Sequence, residues 1–139
     1  MSTIKAAIFK KLVSLGITKW VYESTLPDNP RYPVTVYQFI DTAPAELTHD
    51  EGVVGFRKTR LQIEVYAEDV AQAESAIEAY YEALKSFSGT LGDGLSPETS
   101  YDVDTWDEGQ NPDMDFENEV TLAEVTGRSR DFMIHYQKL

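Results

Sequence analysis

The sequence predicts an α+β fold: a single domain, residues 1–139, in which an antiparallel β-sheet carries two helices packed on one face, in the order α-β-β-β-α-β-(β)-β. Three observations carry this. Apolar residues recur at helical spacing in two separate stretches, residues 3–15 and 70–87. Between and after them run short segments rich in β-branched and aromatic residues, one of which alternates apolar and polar residues with period two. The links among the early elements are of hairpin length, which suits an antiparallel sheet with its helices segregated to one side.

The first helix places Ile4, Ile8, Leu12 and Leu15 on one stripe, widened by Phe9 and Val13. Ser2 or Thr3 can cap its start, Lys10 and Lys11 suit the last turn, and Gly16 is a natural stop. Lys19–Glu23 (KWVYE) is short, aromatic and β-branched, and reads as a strand. Leu26–Pro33 contains three prolines with Asp28 and Asn29, the composition of a turn-rich loop. Val34–Ile40 (VTVYQFI) follows, with Val34, Val36 and Ile40 on one face and Tyr37 and Phe39 on the other. Two apolar faces imply cover on both sides, a helix on one and, in so small a chain, another subunit on the other. Asp41–Gly55 is a polar loop of roughly fifteen residues, longer than most connections inside a compact domain.

Arg57–Tyr66 (RKTRLQIEVY) alternates cleanly: Leu61, Ile63 and Val65 point one way, Arg60, Gln62, Glu64 and Tyr66 the other. Asp69 then caps the second helix, with Gln72 at its third position as in a capping box. Its stripe is Val70, Ala73, Ile77, Tyr80 or Tyr81, Leu84 and Phe87, and Ser88 and Gly89 end it. The run Gly89–Gly94 follows a helix instead of opening one, so it reads as a helix exit and turn rather than a phosphate cradle. Tyr101–Trp106, Glu117–Val125 and Arg130–Tyr136 supply the closing strand patterns.

Composition narrows the function. There are 12 Lys plus Arg against 24 Asp plus Glu, a net charge of −12, which argues against a surface that binds nucleic acid. No apolar run reaches the ~18 residues of a membrane span, and no secretory signal pattern opens the chain. With no cysteine, disulfides, thiol catalysis and Cys-ligated metals are excluded. Between Ser86 and Gly127 there are eleven acids and no Lys or Arg, so residues 93–119 form an acidic segment, while basic residues gather in Arg57-Lys58-Arg60 and Arg128-Arg130. This suits either a solvated, self-repelling stretch or steering between identical neighbours.

Asp113, Asp115, Glu117 and Glu119 alternate as calcium ligands can, but the EF-hand spacing is absent. His49 and His135 alone cannot make a zinc site, and no G-x-S-x-G elbow offers a serine nucleophile. The expectation is therefore no enzyme, no metal and no cofactor.

Several segments together resemble the tail terminator, or tail-completion, proteins of long-tailed bacteriophages. They are the N-terminal helix, Tyr32–Ile40 (YPVTVYQFI), Arg60–Tyr66 (RLQIEVY), the helix Asp69–Phe87, its exit Phe87–Gly92 (FSGTLG), and Arg128–Tyr136 (RSRDFMIHY). Order and spacing agree over most of the chain, while Asp93–Glu119 is longer and more acidic than the family pattern. The resemblance implies a virion protein of the tail and neck, assembled in the host bacterial cytoplasm. It would form a homohexameric ring on the tail tube protein, end tube polymerisation and meet the head–tail connector protein, with DNA passing through unbound and no membrane involved. In such a ring Arg57, Lys58 and Arg60, with Tyr37 and Phe39, are the candidate subunit interface. Asp102, Asp104, Asp113, Asp115, Glu117 and Glu119 are the candidate acids lining the DNA channel. Three other readings stay open: another neck component such as a head-completion or connector protein, an acidic DNA-mimic inhibitor, and a small carboxylate enzyme.

Overall fold

Two amphipathic helices and seven strands make an α+β unit in the computed structural model, which describes residues 3–28, 30–40, 57–112, 114–117 and 124–139. In chain order these are α1 (Thr3–Leu15), β1 (Trp20–Glu23), β2 (Val34–Ile40), β3 (Arg57–Ala67), α2 (Val70–Leu84), β4 (Ser88–Gly92), β5 (Ser100–Gln110), β6 (Met114–Glu117) and β7 (Glu124–Lys138). One sheet joins all seven strands in the order β1-β2-β3-β7-β5-β4, with β6 pairing the first part of β7. No helix among the described residues is long and apolar enough to cross a membrane.

The sheet is mixed, not antiparallel as expected: β1 runs parallel to β2, and every other pairing is antiparallel. Side-chain pattern carries no information on strand direction. A four-residue strand is only ~13 Å long, so the proline-rich link from Ser24 to Pro33 suffices to bring the chain back to the start of β2.

α1 buries Ile4, Ala7, Ile8 and Leu12, and ends at Gly16, whose φ of +63° and N–H to the Val13 carbonyl close its last turn. Its stripe is narrower than expected: Phe9 is 41% and Val13 49% exposed. At the start of α2 the Asp69 carboxylate accepts the Ala71 N–H at 3.2 Å. Ala73, Ile77, Tyr80 and Leu84 are buried, so Tyr80 and not Tyr81 belongs to the core. Val70, expected in that stripe, is half exposed in the first turn.

α2 also stops at Leu84, three residues before the expected end at Phe87, and the glycine-rich exit is strand β4 instead of a turn. The reason is a tertiary demand for hydrogen bonds. Beyond the helix, the Phe87 carbonyl accepts the Thr105 N–H, the Thr105 hydroxyl donates to the Leu84 carbonyl, and residues 88–92 pair with β5. No strand propensity in Ser-Gly-Thr-Leu-Gly announces this.

Register places Leu61, Ile63 and Val65 of β3 on the same face as Tyr37 of β2, Phe132 and Ile134 of β7, and Tyr101 and Val103 of β5. That face meets α1 and α2 in one core. A hydroxyl chain runs through it, and its polarity follows from its end. Thr18 donates to the Trp20 carbonyl (3.0 Å), so it must accept from Thr35 (2.7 Å), which in turn accepts from Tyr80 (2.8 Å). Burial raises the Tyr80 pKa and keeps that phenol protonated.

Val34 and Val36 are buried on the opposite face by this chain itself, so a second subunit is not needed to cover them. The expected loop Asp41–Gly55 lies outside the described residues. Of the expected strand Glu117–Val125, residues 118–123 also lie outside them. The patterns at 101–106 and 130–136 are parts of longer strands, with β5 bulged between Asp107 and Gly109.

Candidate functional site

Period-two alternation sends Lys58, Arg60, Gln62, Glu64 and Tyr66 of β3 to the face away from the helices. Register sets them beside Ser129, Asp131, Met133 and His135 of β7, and those beside Asp104 and Trp106 of β5. The result is a broad polar face crossed by rows of partners.

The centre of this face is an ion-pair cluster. The Arg60 guanidinium lies 3.1 Å from Asp131 and 3.8 Å from Glu108. Asn111 holds the other side of Asp131, its amide donating to Asp131 at 2.9 Å and to the Ser129 hydroxyl at 2.8 Å. Gln38 donates to Gln62 at 2.8 Å, and the Tyr66 phenol donates to Glu64 at 2.9 Å. Burial and the Glu64 carboxylate both push the Tyr66 pKa up.

One row along, Lys58, His135 and Asp104 sit side by side on three strands. Burial and the Lys58 charge lower the His135 pKa, and Asp104 opposes them. Trp106 packs edge-on to the His135 ring at 4.3 Å and donates its indole N–H to Glu108 at 2.9 Å. His135 is thus half-buried under Trp106. Among the described residues no group of three or more His, Asp or Glu is placed to hold a metal ion. The side chains of this face present charges and hydrogen-bonding groups.

The expected interface residues separate. Arg57 and Lys58 are exposed at the start of β3 and make no ion pair among the described residues. Arg60 is engaged within its own chain. Tyr37 is a core residue, 2% exposed, against Phe9 (6.2 Å) and Phe39 (6.1 Å), and Phe39 packs partly buried beside it. The second basic cluster points toward α2. Arg128 is buried and meets Glu74 at 3.5 Å, whereas Arg130 lies 3.2 Å from Asp107 and 4.4 Å over the Tyr81 ring. Neither arginine is offered to a neighbour.

Of the candidate channel acids, Asp102 and Asp104 are exposed on β5, accepting hydrogen bonds from Thr90 (3.3 Å) and Ser88 (2.6 Å). Asp115 and Glu117 fall on β6, and Asp113 and Glu119 lie outside the described residues. Trp106, Glu108, Asn111 and Asp131 belong to the site but carry no motif. The alternation of β5 and β7 was the only signal that placed Trp106 and Asp131 on the Arg60 face.

No known protein-family model matches the chain, and no curated protein matches it either.

Proposed function

We propose that this chain is a tail terminator of a long-tailed bacteriophage, a structural virion protein that closes as a hexameric ring on the end of the tail tube. There it ends tube polymerisation and offers the joining surface for the head–tail connector, with DNA passing through. The observation that supports this most is one of organisation. The segments on which the resemblance rests are α1, β2, β3, α2, β4 and β7, which enclose the core together with β5.

Charge supports it second. Arg57 and Lys58 stand exposed and without an ion pair among the described residues, and Asp102 and Asp104 stand exposed on β5. Opposite charges held on different parts of one subunit favour head-to-tail contacts, which close by rotation into rings. A duct lined with carboxylates would also let DNA slide without binding.

The test is the native mass of the purified chain over a concentration series, with the same samples imaged by negative stain and on finished tail tubes. Six-fold rings with an open centre, or a six-fold cap on the tube, are expected; a monomer that fails to cap tubes rejects the reading. The charge contribution is tested by Arg57→Glu with Lys58→Glu, which should weaken assembly and flatten its salt dependence. Unchanged assembly removes these two residues from the interface.

A further inference from the structure

Charge divides along the chain. Residues 1–31 hold five Lys or Arg against two acids, whereas residues 32–139 hold seven against twenty-two. α1 and β1 therefore form a positive pole on a molecule of net charge −12. At this pole Lys19 and Arg31 flank the Trp20 ring, at 5.1 and 5.9 Å from its centre.

Here α1 does not close on the sheet. Between α1 and the β1–β2 edge lies a cavity of about 550 Å³, lined by Lys5, Phe9, Val21, Glu23 and Tyr37 among others. Val13 continues the exposed flank of Phe9 one turn further along α1. The Lys5–Glu23 pair at the rim spans 3.7 Å with both side chains nearly half exposed, so it closes the cavity only weakly. Scattered exposed apolar residues are ordinary, but here Phe9 lines a preformed apolar hollow beside an edge strand.

The same chain carries a shape that fits. In the turn between β4 and β5, Leu95 is 49% exposed, next to Gly94 with φ of +74°. The turn is braced from within: Asp93 accepts the N–H groups of Leu95 (3.0 Å) and Thr99 (3.1 Å), and Glu98 accepts that of Gly94 (3.1 Å). Glu98 also reaches Lys10 at 3.7 Å, again with both groups about half exposed. Glu98 lies in this turn and Asp102 follows on β5 opposite Thr90, both in the stretch from Ser86 to Gly127 that has no Lys or Arg.

We infer that the β4–β5 turn of one copy docks in the α1/β1 cavity of the next, Leu95 entering between Phe9 and Val21 while Glu98 and Asp102 face Lys5 and Lys19. Charge complementarity selects a second copy as the occupant, because the basic α1/β1 pole suits the most acidic stretch of the same sequence. Cavity and turn are different surfaces, so the contact is heterologous and propagates or closes. This deepens the terminator reading by naming a seam, and it rests on self-association alone.

The experiment is sedimentation velocity of the full chain over a concentration series at about 50 mM and about 500 mM salt. The wild type should associate, less so at high salt. Phe9→Glu and Leu95→Asp, both at exposed positions, should each weaken association at least about tenfold while leaving far-UV circular dichroism unchanged. Mixed together, the two variants should form a heterodimer and nothing larger, since each keeps one intact half of the seam. A wild type that stays monomeric, variants that associate normally, or a mixture that fails to pair each overturns the seam. The two readings separate as well. Open chains or dimers abolished by both variants keep the seam and reject the ring; six-fold rings indifferent to both keep the ring and reject the seam.

Discussion

The two helices lie on the same face of one sheet and are seated differently. α2 presses Ala73, Ile77, Tyr80 and Leu84 into the core and ties its phenol into the hydroxyl chain that reaches β2. α1 seats Ile4, Ala7, Ile8 and Leu12 as firmly, yet leaves Phe9 and Val13 exposed, Phe9 on the wall of a hollow. The difference is between a helix whose stripe matches its groove and one whose stripe is wider than the groove within its own chain. The surplus apolar surface is where a binding partner gains most from burial, since ~25 cal/mol is released per Å² of apolar area removed from water.

Substitutions can break or sharpen this contrast, beginning with the largest effect. Ile77→Ala, under α2, should lower unfolding free energy by about 2–4 kcal/mol, read as a shifted urea midpoint at constant slope. A loss below about 1 kcal/mol would mean that the α2 stripe does not fill its groove. Thr35→Val should cost about 1–3 kcal/mol, because it orphans the Tyr80 phenol and takes the donor from Thr18 together. Tyr80→Phe removes only the first donor of the chain and should cost less; the reverse order would contradict the assigned polarity.

On the open face, Asp131→Ala should cost about 1–2 kcal/mol by leaving Arg60 and Asn111 without their shared partner. If Arg60→Ala and the double variant show the same loss as Asp131→Ala alone, the pair acts as one unit; strictly additive losses would deny the coupling. A smaller effect is expected from pH. The folded His135 pKa is lowered, so between it and the ordinary value near 6.5 the unfolded chain binds the proton that the folded site resists. Stability from this residue is therefore present above pH ~6.5 and is lost as pH falls through that value toward the lowered one. Urea midpoints for His135→Gln should fall less between pH 7.5 and 5.5 than those of the wild type; parallel declines would remove His135 as a cause. Smallest of all, Phe9→Ala should change monomer stability by less than about 1 kcal/mol, and a larger loss would place Phe9 in the core after all.

Near the cavity, burial and the Glu23 carboxylate push the Tyr37 phenol up to about 12, so it stays protonated at neutral pH. The salt dependence expected of the seam therefore belongs to its lysines and carboxylates, not to Tyr37.

Much of this molecule was legible along the chain, and the illegible parts share a cause. The 3.6 period placed Ile4, Ile8 and Leu12 in the core, and the period of two placed Leu61, Ile63 and Val65 toward the helices with Arg60 turned away. Such patterns are local, because a side chain's direction follows from its own backbone. The site was less legible. That Arg60 belongs to Asp131, 71 residues away, depends on β3 lying beside β7 in one register. That Arg128 meets Glu74 depends on α2 crossing above β7, and that Arg130 meets Asp107 depends on β5 lying beside β7. Charge counts alone made these arginines look available.

The sequence by itself determined the two helices, the alternating faces of β3, β5 and β7, the acidic character, and the absence of thiol chemistry, since each follows from residue type and local spacing. Only the tertiary structure decided that β1 runs parallel to β2, that residues 88–92 become a strand, which cations are spent within the chain, and that α1 leaves a hollow beside β1. Those outcomes turn on which distant segments satisfy one another's backbone groups and charges, and no local pattern encodes such a choice.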